Sequence, residues 1–315
     1  MRESDLMRVV FMGNPQFALP TLTALLSSHH DVVGVVSNPP KPMGRGRKFK
    51  STAIGQFAKE NDLNLLQSST LKSDELHNQL SVLNPDVFVV VAFQILPKSL
   101  IDLPKFGALN LHASLLPKYR GAGPIQWSLM NGDKTSGITV FQIMPSLDTG
   151  DILLQEKTDI FPNDNMLTLG TRLSTIGANL VVKALDGIQA GSLKPIIQNN
   201  NHATHAPKIT KEMTIINWSW SADKIHNWVR GLSPYPGMST TWKGKRMRIF
   251  NTRVVDEDVI LGDGIVSKAD YEEIFVDTGE HLLAFSEIQL EGKKRMNVSD
   301  FIKGNNIQIG DKLGG

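Results

Sequence analysis

The 315-residue chain has no cysteine. That excludes disulfides, thiolate nucleophiles and cysteine-based zinc sites, and it fits a reducing compartment. No apolar stretch is long enough to span a bilayer, so no membrane partner is expected. Residues 1–6 lack the apolar core of a signal peptide and read as a disordered extension; the expected location is cytoplasmic. Neither sign of charge is in excess, since 33 Lys and Arg face 31 Asp and Glu, a net of +2. A polyanionic partner would need charge concentrated locally. The turn Gly13-Asn14-Pro15-Gln16-Phe17-Ala18 lacks the further glycines of a dinucleotide fingerprint, and there is no phosphate-cradling lysine loop.

What is present is ordinary globular material, 41% hydrophobic and 20% charged, with length enough for two domains. Residues 8–12, 32–36, 87–92, 109–112 and 138–144 read as strands. Residues 20–26, 71–83 and 166–185 carry helical spacing. The run at 87–92 is continuously apolar and largely β-branched, as in a strand buried on both faces. Strands alternating with helices imply an α/β domain with a Rossmann-like, open, mostly parallel sheet. After residue 192 the texture changes. Asn199-Asn200-Asn201 and scattered His, Pro and Lys read as a linker over 193–210. A short helix at 222–232 and several short strands then suggest a small C-terminal β-barrel, OB-like, over 211–315.

Asn110 and His112 stand two apart at the end of an apolar run, which puts both side chains on one face of a strand. An amide donor and an imidazole, oriented by an acid such as Asp148, suit an acyl-type tetrahedral intermediate. Asn-x-His at a strand end is also common in plain loops. The segment that follows, Ser114-Leu115-Leu116-Pro117-Lys118-Tyr119-Arg120-Gly121, shifts the weight. An apolar, proline-stiffened loop beside polar donors fits a flat heteroaromatic ligand.

Residues 41–50 hold five cations (Lys41, Arg45, Arg47, Lys48 and Lys50) and no acid. They read either as a mobile loop that meets a phosphate backbone or as a solvated surface loop. From Ala206 to Gly315 the chain is neutral, with 15 cations and 15 anions. Even so, Lys243, Lys245, Arg246 and Arg248 cluster, as do Lys293, Lys294 and Arg295. His29-His30 is expected to face water. Trp218, Trp220 and Trp228 are expected to pack a domain junction. His202 and His205 lack the further ligands that zinc needs, and no metal is expected.

Asn110-Leu111-His112, the Ser114–Gly121 loop, Pro124-Ile125-Gln126 and Leu147-Asp148-Thr149-Gly150-Asp151 together resemble the folate-dependent formyltransferase family. The resemblance runs almost the full length, from Val10-Phe11-Met12-Gly13 through Ala206-Pro207-Lys208-Ile209 to Glu291-Gly292-Lys293-Lys294-Arg295-Met296 and Asp300-Phe301. Its C-terminal matches select the tRNA-acting branch. It implies a catalytic domain over 1–192 and a tRNA-binding barrel over 211–315. It further implies Asn110, His112 and Asp148 as the catalytic trio, tetrahydrofolate against Ser114, Leu115, Leu116 and Pro117, and contact with the tRNA acceptor stem by Arg45, helped by Arg47 and Lys48. The implied donor is 10-formyltetrahydrofolate and the implied acceptor is initiator methionyl-tRNA, handled by a monomer. In one segment, Ala92-Phe93-Gln94-Ile95-Leu96-Pro97, the chain lacks the glycine that many members carry. A formyltransferase acting on an amino-sugar nucleotide, a hydrolase of the formyl donor and a non-enzymatic RNA-binding module are the rival readings.

Overall fold

The computed structural model describes residues 6–43 and 47–314. Residues 1–5 of the expected extension, and Gly44, Arg45 and Gly46, lie outside the described residues. The chain divides into two compact units. One takes Met1–Pro124, Ser136–Thr158 and Gly170–Ala206; the other takes Ile125–Thr135, Asp159–Leu169 and Pro207–Gly315.

The first unit runs β1 (Arg8–Gly13), α1 (Leu19–Leu26), β2 (Asp31–Ser37), β3 (Lys41–Met43), β4 (Lys48–Lys50), α2 (Ala53–Glu60), β5 (Leu65–Gln67), α3 (Asp74–Val82), β6 (Val87–Val91), α4 (Lys98–Ile101) and β7 (Ala108–His112). After α5 (Pro124–Met130), which clusters with the second unit, come β8 (Thr135–Gln142), β9 (Ile152–Asp159) and α6 (Met166–Gln189). The sheet order is β5-β2-β1-β6-β7-β8-β9. Pairing is parallel from β5 to β7, and β7–β8 is antiparallel. The chain builds outward from β1, then crosses back to β6, so a topological switch point lies between β1 and β6. All five residues of β6 are buried. With no polar face to keep, the strand reads in sequence as one apolar run.

Several sequence expectations shift on folding. The 71–83 helix begins at Asp74 because the Ser73 side chain accepts from Leu76 N–H at the N-cap. The helix α2 was not expected; it is short and contains Gly55, but Thr52 caps it through Gly55 N–H at 2.9 Å. The strand β9 ends in polar residues that face water, which hid it from a search for apolar runs. Described parts of the 41–50 loop form a hairpin, pairing Lys41 with Lys50, Pro42 with Phe49 and Met43 with Lys48. Backbone ladder bonds need no apolar pattern, so the sequence showed only charge. Ala92 stands at φ +48°, the left-handed region where a glycine would be unstrained.

His30 is a correction. It is buried, not water-facing. Its Nδ1 accepts from Met7 N–H at 3.3 Å, and its Nε2 lies 3.2 Å from Asp186 Oδ1. His29, His30 and Asp186 hold their ligand atoms within 4.8 Å of one another. An Nδ1 that accepts a hydrogen bond puts the proton of the neutral ring on Nε2, the nitrogen a metal would need.

The second unit contains α7 (Ala222–Leu232), β10 (Met238–Trp242), β11 (Lys245–Val255), β12 (Val266–Ala269), β13 (Ile274–Asp277), β14 (Leu282–Leu290), β15 (Met296–Asn297) and α8 (Val298–Gly304). Its antiparallel sheet runs β10-β11-β14-β13-β12, with β15 on β14. Bridges from Trp242 to Leu313 and from Ile265 to Lys312 tie both edges to adjacent C-terminal residues and close a barrel. Closure removes exposed strand edges. Trp218 is buried here and donates from Nε1 to Thr240 Oγ1 at 3.0 Å. Trp220 and Trp228 are half-buried, and their rings are 5.0 Å apart. All three tryptophans pack within this unit. Among the described residues no helix is long and apolar enough to cross a membrane.

One buried imidazole, His30, and one half-buried one, His226, set a pH dependence of stability. Burial first, then Arg230, pushes His226 down to about 4. Burial, then His29, lowers His30. An unfolded histidine takes its proton near 6.5. Between that value and about 4 the unfolded chain therefore binds more protons than the folded one, so stability falls as pH falls. The melting temperature should drop from pH 7 to pH 5, and His226→Gln should flatten that slope. An identical slope in the variant would contradict this assignment.

Candidate active site

The strand β7 carries Asn110 and His112 outward to its C-terminal end. Asn110 pairs with Val90 on one side and Phe141 on the other. Its side chain is half-buried and makes no hydrogen bond among the described residues. His112 is buried, with 6% of its surface exposed. His112 Nε2 lies 2.8 Å from Tyr119 O. A carbonyl only accepts, so Nε2 carries the hydrogen and donates it. In the neutral ring Nδ1 then presents a lone pair. It faces Asp148 Oδ2 at 3.8 Å, an ion-pair separation too long for a hydrogen bond. The two sequence-expected partners are thus brought together, with Nδ1 still uncommitted.

Asp148 is also buried. Its Oδ2 accepts from Gly121 N–H at 2.8 Å. Its backbone is at φ +52°, a conformation that costs a non-glycine residue roughly 1–2 kcal/mol. Two glycines make this corner possible. At Gly150 an added Cβ would come 1.7 Å from Gln142 O. At Gly121, φ +125°, it would come 2.6 Å from Ala206 O. Both neighbours are backbone atoms that cannot rotate away.

The four loop residues fall into two pairs. Ser114 and Leu116 are buried, whereas Leu115 and Pro117 are half-buried. Ser114 Oγ donates to Lys118 O at 2.6 Å. Thr139 Oγ1 donates to Ser114 O and accepts from Leu116 N–H. Gln155 Nε2 donates to Leu116 O at 2.8 Å. The polar groups of Ser114 and Leu116 are therefore spent on holding the loop. What the loop offers a ligand is the apolar surface of Leu115 and Pro117. Of the expected RNA contacts, Arg45 lies outside the described residues. Arg47 and Lys48 are exposed at the β3–β4 hairpin.

Sequence reasoning missed the segment that ties the corner together. Residues 196–206, expected as linker, belong to the first unit. Ile196 bridges Ile152, and His205 bridges Arg120 through the backbone. Thr204 Oγ1 accepts from Tyr119 N–H at 2.8 Å. Gln198 is the one buried residue from Gly191 to Asn200. Its side chain connects Arg120 to Asp148 O and Gly150 O. The only local sign was Ile196-Ile197, two β-branched residues ahead of it. The Asn-rich run masked the rest.

The family model described as Formyl transferase matches residues 7–185, and that described as Formyl transferase, C-terminal domain, matches 208–306. A methionyl-tRNA formyltransferase of Alkaliphilus oremlandii is 40% identical over 309 residues, covering 98% of this chain and 100% of the relative. HypX from Aquifex aeolicus, solved in complex with tetrahydrofolic acid, superimposes with a TM-score of 0.67 at 14% identity. It covers 96% of this chain, which spans only 50% of HypX. An N-formyltransferase from Helicobacter canadensis, solved with folinic acid and dTDP-3-aminofucose, gives a TM-score of 0.66 at 19% identity, covering 92% of this chain and 100% of that one. At such identities the two structures establish likeness of fold.

The corner's backbone geometry has a direct consequence. Gly121→Ala combines a disfavoured φ with a backbone clash, and should cost roughly 2 kcal/mol or more. The expected readout is a melting temperature lowered by several degrees; an unchanged one would show that the corner tolerates a Cβ.

Proposed function

Because the chain belongs to the formyl transferase family, we propose that it moves the formyl group of 10-formyltetrahydrofolate onto the α-amino group of initiator methionyl-tRNA. The product is N-formylmethionyl-tRNA, used to begin translation. The observation that carries this reading is the end-to-end match, C-terminal domain included, to a methionyl-tRNA formyltransferase at 40% identity. A formyltransferase acting on an amino-sugar nucleotide is the alternative; its support is likeness of fold at 19% identity.

In this reading the amine attacks the formyl carbon, the C–Nα bond forms and the carbonyl oxygen becomes an oxyanion. Asn110 donates to that oxygen from a carboxamide with no hydrogen-bond partner among the described residues. His112, as imidazolium, donates from Nδ1 while Nε2–H stays on Tyr119 O. Asp148 stabilises the charged ring across 3.8 Å. Its Oδ2 is held by Gly121, which leaves Oδ1 to take protons from the attacking nitrogen. The bond from carbon to N10 of the folate then breaks. One proton of the ammonium ends on N10 and one in solvent, so the reaction balances. Donors fixed in advance act on the transition state without reorganisation. Much of the rate comes from holding two large substrates in register.

The pterin-bearing donor lies against Ser114, Leu115, Leu116 and Pro117, touching the half-buried pair and supported by the buried one. The hairpin at 41–50 meets the acceptor stem through Arg45, Arg47 and Lys48, and the barrel at 211–315 takes further RNA backbone. Phosphate contacts of this kind give affinity and registration. Labour divides between the first unit, which carries catalysis and includes the 196–206 segment, and the second unit, which binds tRNA. The protein works as a cytoplasmic monomer.

The decisive assay offers 10-formyltetrahydrofolate with charged initiator tRNA, charged elongator methionyl-tRNA and an amino-sugar nucleotide. Transfer to the initiator alone is expected; preference for the sugar nucleotide would overturn the reading. Asn110→Ala should lower turnover by about 100- to 1,000-fold, the usual effect of losing one oxyanion donor, and near-normal turnover would remove Asn110 from the mechanism. Arg45→Ala should raise KM for tRNA and leave KM for the folate unchanged. An unaltered rate at limiting tRNA would count against the hairpin's role.

A further inference from the structure

We infer that Gln198 is a positioning residue for formyl transfer, holding Asp148 at the orientation His112 needs. This rests on the role proposed for Asp148. The Gln198 side chain is 6% exposed and fully committed. Nε2 donates to Asp148 O at 3.0 Å and to Gly150 O at 2.7 Å. Oε1 accepts from Arg120 Nε at 3.1 Å and Nη2 at 2.7 Å. Arg120, 8% exposed, reaches Asn200 Oδ1 with Nη2 as well, at 2.9 Å.

A non-glycine residue at φ +52° persists only when its surroundings over-determine it. Here the Arg120-Gly121 dipeptide holds Asp148 twice. Gly121 N–H fixes the carboxylate directly, and the Arg120 guanidinium fixes the backbone through Gln198. The bridge demands an acceptor at one end and two donors at the other, which only a side-chain amide supplies. Glutamate has the same length and satisfies Arg120, but sets a carboxylate oxygen against two carbonyl oxygens. The Asp148 backbone would then rotate and its carboxylate would leave Nδ1.

The test compares wild type with Gln198→Glu, Gln198→Met, Asp148→Asn and Asp148→Asn/Gln198→Glu, reading kcat, KM for both substrates and melting temperature. Gln198→Met keeps the volume without the polar bonds, and serves if Gln198→Glu does not fold. A displaced reacting group costs up to about 100-fold. Gln198→Glu should therefore lower kcat about 10- to 100-fold, with both KM values within about 3-fold. On the Asp148→Asn background the same change should add little, because the two residues act as one unit. Full multiplicative loss in the double variant would assign Gln198 a general structural role and overturn the inference. Normal kcat in the Gln198 variants beside an impaired Asp148→Asn overturns the inference alone. Normal kcat in Asp148→Asn overturns the role of Asp148 and the inference with it.

Discussion

The hydrogen bond from His112 Nε2–H to Tyr119 O at 2.8 Å is the constraint on which the site depends. It decides which ring nitrogen is left for the proposed chemistry. With Nε2 given to a backbone carbonyl, Nδ1 alone faces Asp148. A histidine free to exchange tautomers would spend part of its time with the wrong nitrogen protonated. Burial adds force to the arrangement, since an electrostatic contact away from water is screened less than one at the surface.

Tyr119 and Asp148 are the two polar partners of the ring, and both are held by residues far away in sequence. Tyr119 is at φ +62° and its N–H goes to Thr204. Asp148 is at φ +52° and its carbonyl goes to Gln198. The stretch 196–206 thus works as a strap over the corner. Two residues in the left-handed region are tolerated because hydrogen bonds on both sides over-determine them, and the strain is stored where the chemistry is proposed. The glycines at 121 and 150 serve the same corner by admitting backbone approaches that any Cβ would block.

Much of this was legible in the sequence. The apolar run of β6, the helical stripe of α6 and the short strands after residue 238 carried the α/β and barrel assignments. The i, i+2 spacing of Asn110 and His112 placed both on one strand face. Other features left no pattern. The β3–β4 hairpin is held by backbone pairing, so no periodicity marked it. Burial of His30 depends on Met7 and Asp186, which no local rule connects to it. Ser114 Oγ donates to Lys118 O, a bond inside the loop that no local pattern announced. Gln198 sat in a polar run that read as tether. Its importance comes from partners 78 and 50 residues away, and pairings at that range are decided by packing.

Tyr119 O locks the neutral His112 ring as the Nε2–H tautomer, leaving Nδ1 for the proposed chemistry. Long-range nitrogen–proton correlation spectra of 15N-histidine-labelled protein, with the His112 signals assigned by comparison with His112→Asn, read the tautomer directly. The account predicts that the neutral ring carries its proton on Nε2, and that Nδ1 is the nitrogen that takes up the second proton when the imidazolium forms. A neutral ring protonated at Nδ1 would contradict it.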